Sequence, residues 1–529
     1  MALAKWAWWR VAGAALITSI ATLFAQVPGQ APGQGPSPPP LHIPHIGGSR
    51  QARPEPEVTP GSRVYVVLWF NVQDYIRPQS DDAAKRLAVF LTEQGIPATF
   101  NVVGEKARVL KQRQRQDVIS AIAQHEVGYN SNTHSQHPTV AEYESTLAWD
   151  PGVEEFTRRE RAGFDDVARI FQKTPLVYAQ PGGAWAPQAF PALQKWGVRT
   201  YLGESKQVGL RGRMFWYGGL LNIFNIRQGQ QLRPNADWSN LEMAKARFQD
   251  MYLALSSRKS GGLISIGFRP CDFVDQESWD EVNFRDGANP AGNELKLPPV
   301  RTAQETENAF QYFEGLVRYI KSFPQVQFLS ASGVAARYRD RAQMHVFSPQ
   351  EMGAIASQVD SDVTFQEGDT FNLSAIEVFF IINKFLVGIL RKQASGPLFL
   401  DRTPFGPSAE SPPLTGNVVV PWIKGEKALI SVQEQIEKTG QIPNAINIAG
   451  QIVPPESYLV GIARVVQSVL QNAQFPESVT FVPARLAAAD YVGDDSPDLW
   501  DWDIFPRGFH APKLMSLAKL QAWTLKPAK

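Results

Sequence analysis

The sequence predicts an α/β fold for the middle of the chain, because short apolar runs alternate with helical patterns from residue 62 to about 345. The first run, RVYVVLWFNVQ at 63–73, is rich in β-branched and aromatic residues and ends in polar ones, which is typical of a buried strand. Such alternation indicates right-handed crossovers and a parallel sheet, either open or closed into a barrel. In both arrangements, ligands bind at the carboxyl ends of the strands.

Each further element follows from apolar spacing and from residues that begin or end helices. The predicted strands lie at 63–73, 98–104, 175–180, 198–204, 262–268 and 326–331. The predicted helices lie at 83–94, 105–124, 152–172, 187–197 and 302–323. Ser80-Asp81-Asp82 is expected to cap the first helix, and Gly95-Ile96-Pro97 to end it. Polar residues that follow strands are the first candidates for a site: Asn71, Gln73, Asp74, the turn 180–185, Arg269 and Asp272.

Two segments precede the predicted sheet. Residues 1–25 have a short basic start and then an apolar run that ends at Ala25, which favours an export signal cleaved after Ala25. The alternative is an uncleaved anchor, although the run is short for a bilayer span. Residues 26–61 are rich in proline and glycine and predict a disordered linker. The expected location is therefore outside the cytoplasm (periplasmic, cell-surface or secreted), with no membrane span after signal removal.

Composition excludes some classes of partner. The chain has 529 residues, of which 43% are hydrophobic and 19% charged, and its formal net charge is +1. This charge gives no general attraction to nucleic acid, so no nucleic-acid partner is expected. The single cysteine, Cys271, excludes an intramolecular disulfide framework. With no histidine near it in sequence, Cys271 is expected to be a small buried side chain rather than a nucleophile.

After about residue 345 the sequence changes character. The segments 363–390 and 444–470 each contain a short β-type run, a polar turn, a helix start with Glu and an apolar helix. They predict two related strand–helix units in a mostly helical α+β domain, 346–529. The tail DDSPDLWDWDIFP at 494–506 is acidic and aromatic, and either closes over a groove or ends the domain.

Four ordered blocks within residues 62–340 resemble the polysaccharide deacetylase (NodB-homology) family, carbohydrate esterase family four. They read ATFNVVGEKA, HEVGYNSNTHSQHP, QPGGAWAPQAFPALQKWGV and LISIGFRPCDF. The resemblance implies a distorted (β/α) barrel that removes acetyl groups from sugar polymers. It also implies zinc or another divalent metal held by an aspartate and two histidines, with an aspartate as base and a histidine as acid.

Transferring these roles to the chain gives substitutions at the base and at one ligand. Asn71 occupies the base position, and an amide cannot take up a proton at useful pH. Asp74 remains as a metal ligand, with Gln73 as the alternative register. Asn130 falls where the family has its first ligand histidine, and His134 falls on the second. A shifted pair, His134 and His137, is the alternative.

The last two blocks also depart from the family pattern. Gln180 stands where an arginine steers the base, and Gln180, Pro181, Gly183 and Trp185 are expected to bind substrate, with the Trp185 ring exposed. Arg269 occupies the general-acid position, and an arginine keeps its proton at every working pH. Its structural alternative is a salt bridge with Asp272. A further family block is matched only by the dipeptide Asp237-Trp238.

Three functions remain open. The leading hypothesis is an exported deacetylase-like protein that acts on or binds N- or O-acetylated glycan, of the peptidoglycan or chitin type, with an eroded metal, base and acid site that leaves it weak or inactive as a metal hydrolase. Zinc or another divalent metal is the expected cofactor if the protein is active, and none is the other outcome. The first alternative is a working metal-dependent deacetylase that uses Asp74, His134 and His137. The second is a non-catalytic glycan-binding or scaffold protein. The C-terminal units faintly resemble pseudomurein-binding repeats (439–466), which would direct the protein to a cell wall; a helical cap on the barrel is the structural alternative.

Overall fold

The order of the strands in the main sheet is what positions the candidate site. A computed structural model describes residues 62–203, 206–224, 226, 232, 238–391 and 397–529, so the predicted signal (1–25) and linker (26–61) lie outside the described residues. The strands of the main sheet are β1 (Val64–Val72), β2 (Thr99–Val102), β3 (Glu126–Tyr129), β4 (Val177–Ala179), β5 (Thr200–Gly203), β6 (Phe215–Tyr217), β7 (Leu220–Phe224), β8 (Gly262–Phe268), β9 (Val326–Leu329) and β20 (Lys526–Pro527).

Helices cover this sheet. They are α1 (Pro78–Glu93), α2 (Gly104–Gln112), α3 (Gln116–Ile122), α4 (Val140–Glu144), α5 (Trp149–Phe171), α6 (Ala189–Lys195), α7 (Leu241–Ser256), α8 (Trp279–Phe284), α9 (Ala303–Lys321) and α10 (Ala331–Arg337). None of the helices in the described part of the chain combines the length and the apolar character that a membrane span requires.

The sheet runs in the order β20-β6-β7-β5-β4-β3-β2-β1-β8, and β9 also pairs with β1. Along this order, every neighbouring pair from β7 to β8 is parallel (β7–β5, β5–β4, β4–β3, β3–β2, β2–β1 and β1–β8). Strand β6 pairs antiparallel with β7, and β20 pairs antiparallel with β6. Strand β1 is buried along its whole length, as its continuous apolar run predicts. The prediction of a distorted (β/α) barrel is confirmed.

Two predicted helix boundaries are wrong. Helix α1 begins at Pro78, because proline suits the first helical position, so Asp81 lies inside the first turn rather than before the helix. There the carboxylate of Asp81 is fully buried and accepts hydrogen bonds from Lys106 and Arg113. The predicted helix 105–124 is two helices, α2 and α3, because Gln114 adopts a left-handed conformation (φ 56°) between them.

Beyond the barrel, the chain forms helices with short strands. The helices are α11 (Pro349–Ser357), α12 (Ala375–Leu390), α13 (Trp422–Thr439), α14 (Pro455–Asn472) and α15 (Pro512–Gln521). The strands are β10 (Val346–Phe347), β11 (Asp362–Val363), β12 (Gln366–Glu367), β13 (Asn372–Leu373), β14 (Leu398–Phe399), β15 (Val418–Pro421), β16 (Ile446–Ile448), β17 (Gln451–Val453), β18 (Ser478–Phe481) and β19 (Arg485–Leu486).

Both predicted repeat units consist of a short antiparallel hairpin followed by an apolar helix. The first is β12–β13 with α12, and the second is β16–β17 with α14. Their side chains form a core of their own, separate from the main barrel core. The boundary near residue 345, and any role of these units in binding a cell wall, stay predictions.

The last forty residues of the chain, 490–529, pack against the barrel, and we call this segment the C-terminal tail. Side chains of this tail, including Leu499, Trp500 and Phe505, are buried in the barrel core, and β20 adds an edge strand to β6. Lys526 is buried and forms ion pairs with Glu377 of α12 and with Asp340 at 2.7 Å. The tail is therefore structurally part of the barrel and links it to the helical region.

Glu144 at the end of α4 predicts an unusual dependence of stability on pH. Both carboxylate oxygens are buried without a hydrogen-bond partner, and burial, reinforced by the charge of Glu155 and opposed by Arg159, raises the pKa of Glu144 to about 9. Because the folded state keeps a proton that the unfolded chain releases near pH 4.5, stability falls as the pH rises from about 4.5 to 9.

We therefore expect Glu144→Gln to raise the free energy of unfolding by about 2 kcal/mol at pH 7.5 and by little at pH 4.5. At pH 7.5 the wild-type side chain is ionised in the unfolded chain and must take up a proton on folding, whereas glutamine needs none. Urea denaturation at the two pH values measures this difference. Glu154→Gln, an exposed change on α5, is the control and should have no effect at either pH. Equal stability of Glu144→Gln and wild type at pH 7.5 would contradict the assignment.

Candidate functional site

A pocket of about 420 Å³ lies at the carboxyl ends of β1, β4, β5 and β8. The parallel order of these strands brings polar residues from distant parts of the sequence to one edge, as expected for a barrel. Its lining residues are Trp69, Asn71, Gln73, His134, Gln180, Gly182, Gly183, Gly203, Lys206, Gly267, Phe268, Arg269, Asp280, Glu281, Asp498, Leu499, Asp501 and Trp502.

Amide side chains occupy the base side of the pocket. Asn71, the penultimate residue of β1, accepts a hydrogen bond through Oδ1 from Nδ2 of Asn101 at 3.2 Å. A Cβ atom on Gly128 would lie only 2.1 Å from Oδ1 of Asn101, which explains the glycine in the HEVG block. Gln73 is buried and also lines the pocket. No group in this set can act as a base near neutral pH.

Asp74, predicted as a metal ligand, is outside the lining of the pocket. Its Oδ1 accepts hydrogen bonds from the backbone N–H groups of Ile76 at 2.9 Å and Arg77 at 3.2 Å, so the side chain closes the turn before α1. Its Oδ2 is buried without a hydrogen-bond partner. This geometry is that of a structural Asx turn.

His134 lies at the pocket with one ring nitrogen available. Its Nδ1 lies 2.5 Å from Oγ of Ser135, whereas Nε2 has no hydrogen-bond partner, and 4% of the residue is exposed. Burial lowers the pKa of His134 to about 4, with Asp280 opposing this shift and Arg269 adding to it. The imidazole is therefore neutral at physiological pH. Its backbone is left-handed (φ 57°), a conformation that is uncommon outside glycine.

The other two positions of the histidine block are placed differently. Asn130 directly follows β3, is fully buried, and neither atom of its amide has a hydrogen-bond partner. His137 is outside the lining of the pocket: its Nδ1 lies 2.7 Å from the carboxylate of Glu142, and its Nε2 lies 3.4 Å from the carbonyl oxygen of Phe284. The structure therefore does not bring His134 and His137 together at the pocket.

Arg269 follows β8 and lines the pocket with a charged network behind it. Its Nε donates to Asp272 at 3.0 Å and its Nη1 to Ser278 at 3.0 Å, and Ser278 donates to Oδ1 of Asp280 at 2.5 Å. Burial opposes the charge of Arg269, but Asp272, Cys271 and Asp280 outweigh it and raise its pKa. The expected Asp272 pair is present, and Arg269 also faces the pocket with a permanent positive charge.

The glycine-rich turn after β4 is covered by the C-terminal tail. Gly182 has a positive φ of 48°, and a Cβ atom there would lie 2.2 Å from the ring of Trp502. Gly183 also packs against Trp502, and Gln180 receives a hydrogen bond from Tyr201 at 3.2 Å. Thus the tail closes over the groove, one of the two outcomes that its acidic and aromatic composition predicts.

The prediction of an exposed ring at Trp185 is wrong. Only 1% of Trp185 is exposed, because the ring packs in the core against Phe190 and Tyr217, with centroid separations of 6.2 and 6.1 Å. Pro181 is buried beside the pocket without lining it. The indoles that line the pocket are those of Trp69 and Trp502 instead.

Sequence reasoning missed the acidic side of the pocket. Asp280 and Glu281 come from α8, and Asp498 and Asp501 come from the tail. The only signal was the acidic, aromatic tail itself; nothing local marked Asp280.

Of the other predicted residues, Trp238 is buried against Phe273, with ring centroids 4.6 Å apart, and Asp237 lies outside the described residues. Cys271 is buried, as expected, and burial raises the pKa of its thiol.

The residues at the pocket do not fit a zinc site. In residues 62–529, apart from the undescribed gaps, no three His, Cys, Asp or Glu side chains are grouped to hold a metal. Zinc prefers imidazole, thiolate and carboxylate ligands, whereas an amide, Asn130, stands where the resemblance places a histidine.

Comparison with known proteins gives matches among solved structures only. No family model matches the chain. No curated protein sequence matches it either. A candidate polysaccharide deacetylase from Mycobacterium smegmatis is 14% identical, with 56% of this chain and 93% of that chain covered and a TM-score of 0.35.

Two further structures belong to carbohydrate esterase family 4. A pseudoenzyme of this family from Bacillus anthracis is 14% identical over 51% of this chain and 65% of its own, with a TM-score of 0.28. A family 4 carbohydrate esterase from Streptomyces lividans, in complex with acetate, is 20% identical over 26% and 61%, with a TM-score of 0.20. At these values the likeness carries no argument about what the chain binds or does. The chain is similar to polysaccharide deacetylases of carbohydrate esterase family 4, and its function must be argued from its own residues.

Proposed function

We propose that this chain is an exported polysaccharide-deacetylase-like protein that binds a glycan of the peptidoglycan or chitin type and has lost metal-dependent hydrolysis. The single observation that carries the proposal is the chemistry of the pocket. Asn71, His134 and Arg269 line it, so the positions of base, ligand and acid hold an amide, one imidazole and a guanidinium. Asn130, at the other ligand position, is an amide as well.

Loss of hydrolysis follows from what these groups can do. Deacetylation by the family's route needs a cation to polarise the carbonyl group and activate water. It also needs one group that takes up a proton and one that releases it. Asn71 cannot accept the proton and Arg269 cannot release one. The rival active site, Asp74 with His134 and His137, is disfavoured because Asp74 holds a backbone turn and His137 pairs with Glu142.

Glycan binding is supported by the shape and the groups of the pocket. Its volume of about 420 Å³ lies within the range of small-ligand sites and can hold one or two sugar units. Trp502 supplies an aromatic surface against which the apolar face of a sugar ring can pack, and Gln73 and Gln180 supply amides at the same pocket. Export is supported by the basic and apolar pattern of residues 1–25.

Replacing Trp502 tests glycan binding. We expect Trp502→Ala to weaken binding of chitin or peptidoglycan oligomers at least about tenfold, equal to about 1.4 kcal/mol, because the aromatic surface is lost. Isothermal titration calorimetry measures the affinity. Trp422→Ala is the matched control, since Trp422 stacks on Phe475 in the helical region, 4.6 Å between ring centroids, and lines no part of the pocket.

The same oligomers test the loss of hydrolysis. Wild-type protein incubated with them and with excess zinc should release no acetate above the protein-free control. A scaffold protein without a glycan ligand would bind none of the oligomers, and zinc-dependent release of acetate would show a working deacetylase. Either result would contradict the proposed function.

A further inference from the structure

The charges that line the pocket are mainly acidic. Four acidic side chains line it against two basic ones: Asp280, Glu281, Asp498 and Asp501, against Lys206 and Arg269. Lys206 pairs with Asp501 at 3.2 Å, and Arg269 pairs with Asp272, which lies behind the lining. Among the described residues, neither Asp280 nor Asp498 forms an ion pair within 4 Å. The two basic groups are therefore occupied, and negative charge remains.

Asp280 is the most enclosed of these acidic groups. Only 1% of the residue is exposed, and its hydrogen bonds from Ser278 and from the backbone N–H of Glu281 both go to Oδ1. Glu281 lies next to it at the pocket, 3.5 Å from Arg285. The second carboxylate oxygen, Oδ2, receives neither of these bonds and can accept hydrogen bonds from a bound group.

A second and independent observation points to a ligand in the same pocket. His134 is 96% buried, lines the pocket, and leaves its Nε2 atom without a hydrogen-bond partner. In the tautomer in which Nδ1 donates to Oγ of Ser135, Nε2 carries no proton and can accept a hydrogen bond from a bound group. The ring of His134 meets that of Trp502 edge to face, with centroids 5.5 Å apart and an interplanar angle of 88°. One acceptor and an aromatic surface thus lie together.

We propose that the pocket holds an amino-sugar unit whose nitrogen is free and protonated, so that the protein recognises deacetylated units within a partly acetylated glycan. Asp280 would receive charge-assisted hydrogen bonds from the ammonium group, His134 would accept another, and Trp502 would cover the sugar ring. An N-acetyl group at this position is uncharged, so the carboxylate of Asp280 would have no cation to pair with. This inference rests on the proposed function and narrows its ligand.

A pair of oligomers of equal length tests the inference with the full chain. By isothermal titration calorimetry at low ionic strength, the glucosamine tetramer should bind at least about tenfold more tightly than the N-acetylglucosamine tetramer. Tetralysine, which carries four ammonium groups without a sugar, should bind weakly. Asp280→Asn should bring the dissociation constants of the two sugar tetramers to within about threefold of each other. The exposed change Asp498→Asn should reduce the difference between them in part, and it keeps the test valid if Asp280→Asn fails to fold.

Glu93→Gln, an exposed change at the end of α1, is the control and should leave the preference unchanged. Equal or tighter binding of the N-acetylated tetramer would overturn the inference while leaving the proposed function intact. Binding of tetralysine as tight as that of the glucosamine tetramer would also overturn it, since acidic surface charge alone would then account for affinity. Binding of neither sugar tetramer would overturn both proposals.

Discussion

Asp81→Asn is expected to lower the free energy of unfolding by about 3–5 kcal/mol, because it leaves the buried ammonium of Lys106 without a carboxylate. Asp81 is fully buried and 1% of Lys106 is exposed. The Nζ atom of Lys106 also donates to the carbonyl oxygen of Asp74 and to Oγ of Ser80 at 3.1 Å. Arg113 contacts the second oxygen of Asp81 at 2.9 Å. The cluster joins α1 to α2 directly beneath the turn that Asp74 closes.

Urea denaturation of the single variants and the double variant measures this effect. Lys85→Met is the matched control on α1, because Lys85 and Asp117 form an exposed pair, each side chain 42% exposed, for which about 0.5 kcal/mol or less is expected. The double variant Asp81→Asn with Lys106→Met should cost less than the sum of the single changes, since neither charge is then left alone. A cost below about 1 kcal/mol for Asp81→Asn would show that the pair is not buried as described.

The triple variant Asn71→Asp, Asn130→His and Arg269→His is expected to gain zinc affinity by at least about a hundredfold, because it replaces two amides and a guanidinium by groups that bind zinc or orient its ligands. His134 already lies at the same pocket with a free nitrogen. Competition with a chromophoric chelator measures the affinity. Adding His134→Ala to the triple variant should remove the gain in zinc affinity. An equal gain in the variant that lacks His134 would show that the metal binds elsewhere.

Much of the barrel could be predicted from the sequence because its parallel strands are buried on both faces and form continuous apolar runs. The predicted strand 63–73 contains β1 (Val64–Val72), and the predicted strand 262–268 is β8. The hairpin β6–β7 and the edge strand β20 could not be predicted from the sequence. The antiparallel pairing between Phe215 and Pro527 joins residues more than 300 positions apart. Long-range pairing of this kind leaves no periodic signal at either end.

Some residues of the candidate site could be predicted from the sequence, and others could not. The rule that ligands gather at carboxyl ends of parallel strands identified Asn71, Gln180 and Arg269, and these line one pocket. Asp280 and Trp502 were missed because each comes from a segment outside the strand ends, and only packing brings them to the pocket. Trp185 was misplaced because a glycine-rich turn exposes the backbone, while the side chain that follows it turns into the core.

The zinc content of wild-type protein tests the central claim most directly. The full chain would be equilibrated with an equal amount of zinc, passed through a desalting column, and analysed by inductively coupled plasma mass spectrometry. Because no three His, Cys, Asp or Glu side chains among the described residues are grouped to hold a metal, we expect much less than one zinc per chain, and no difference between wild type and His134→Ala. One zinc per chain in wild type that is lost in His134→Ala would contradict the account.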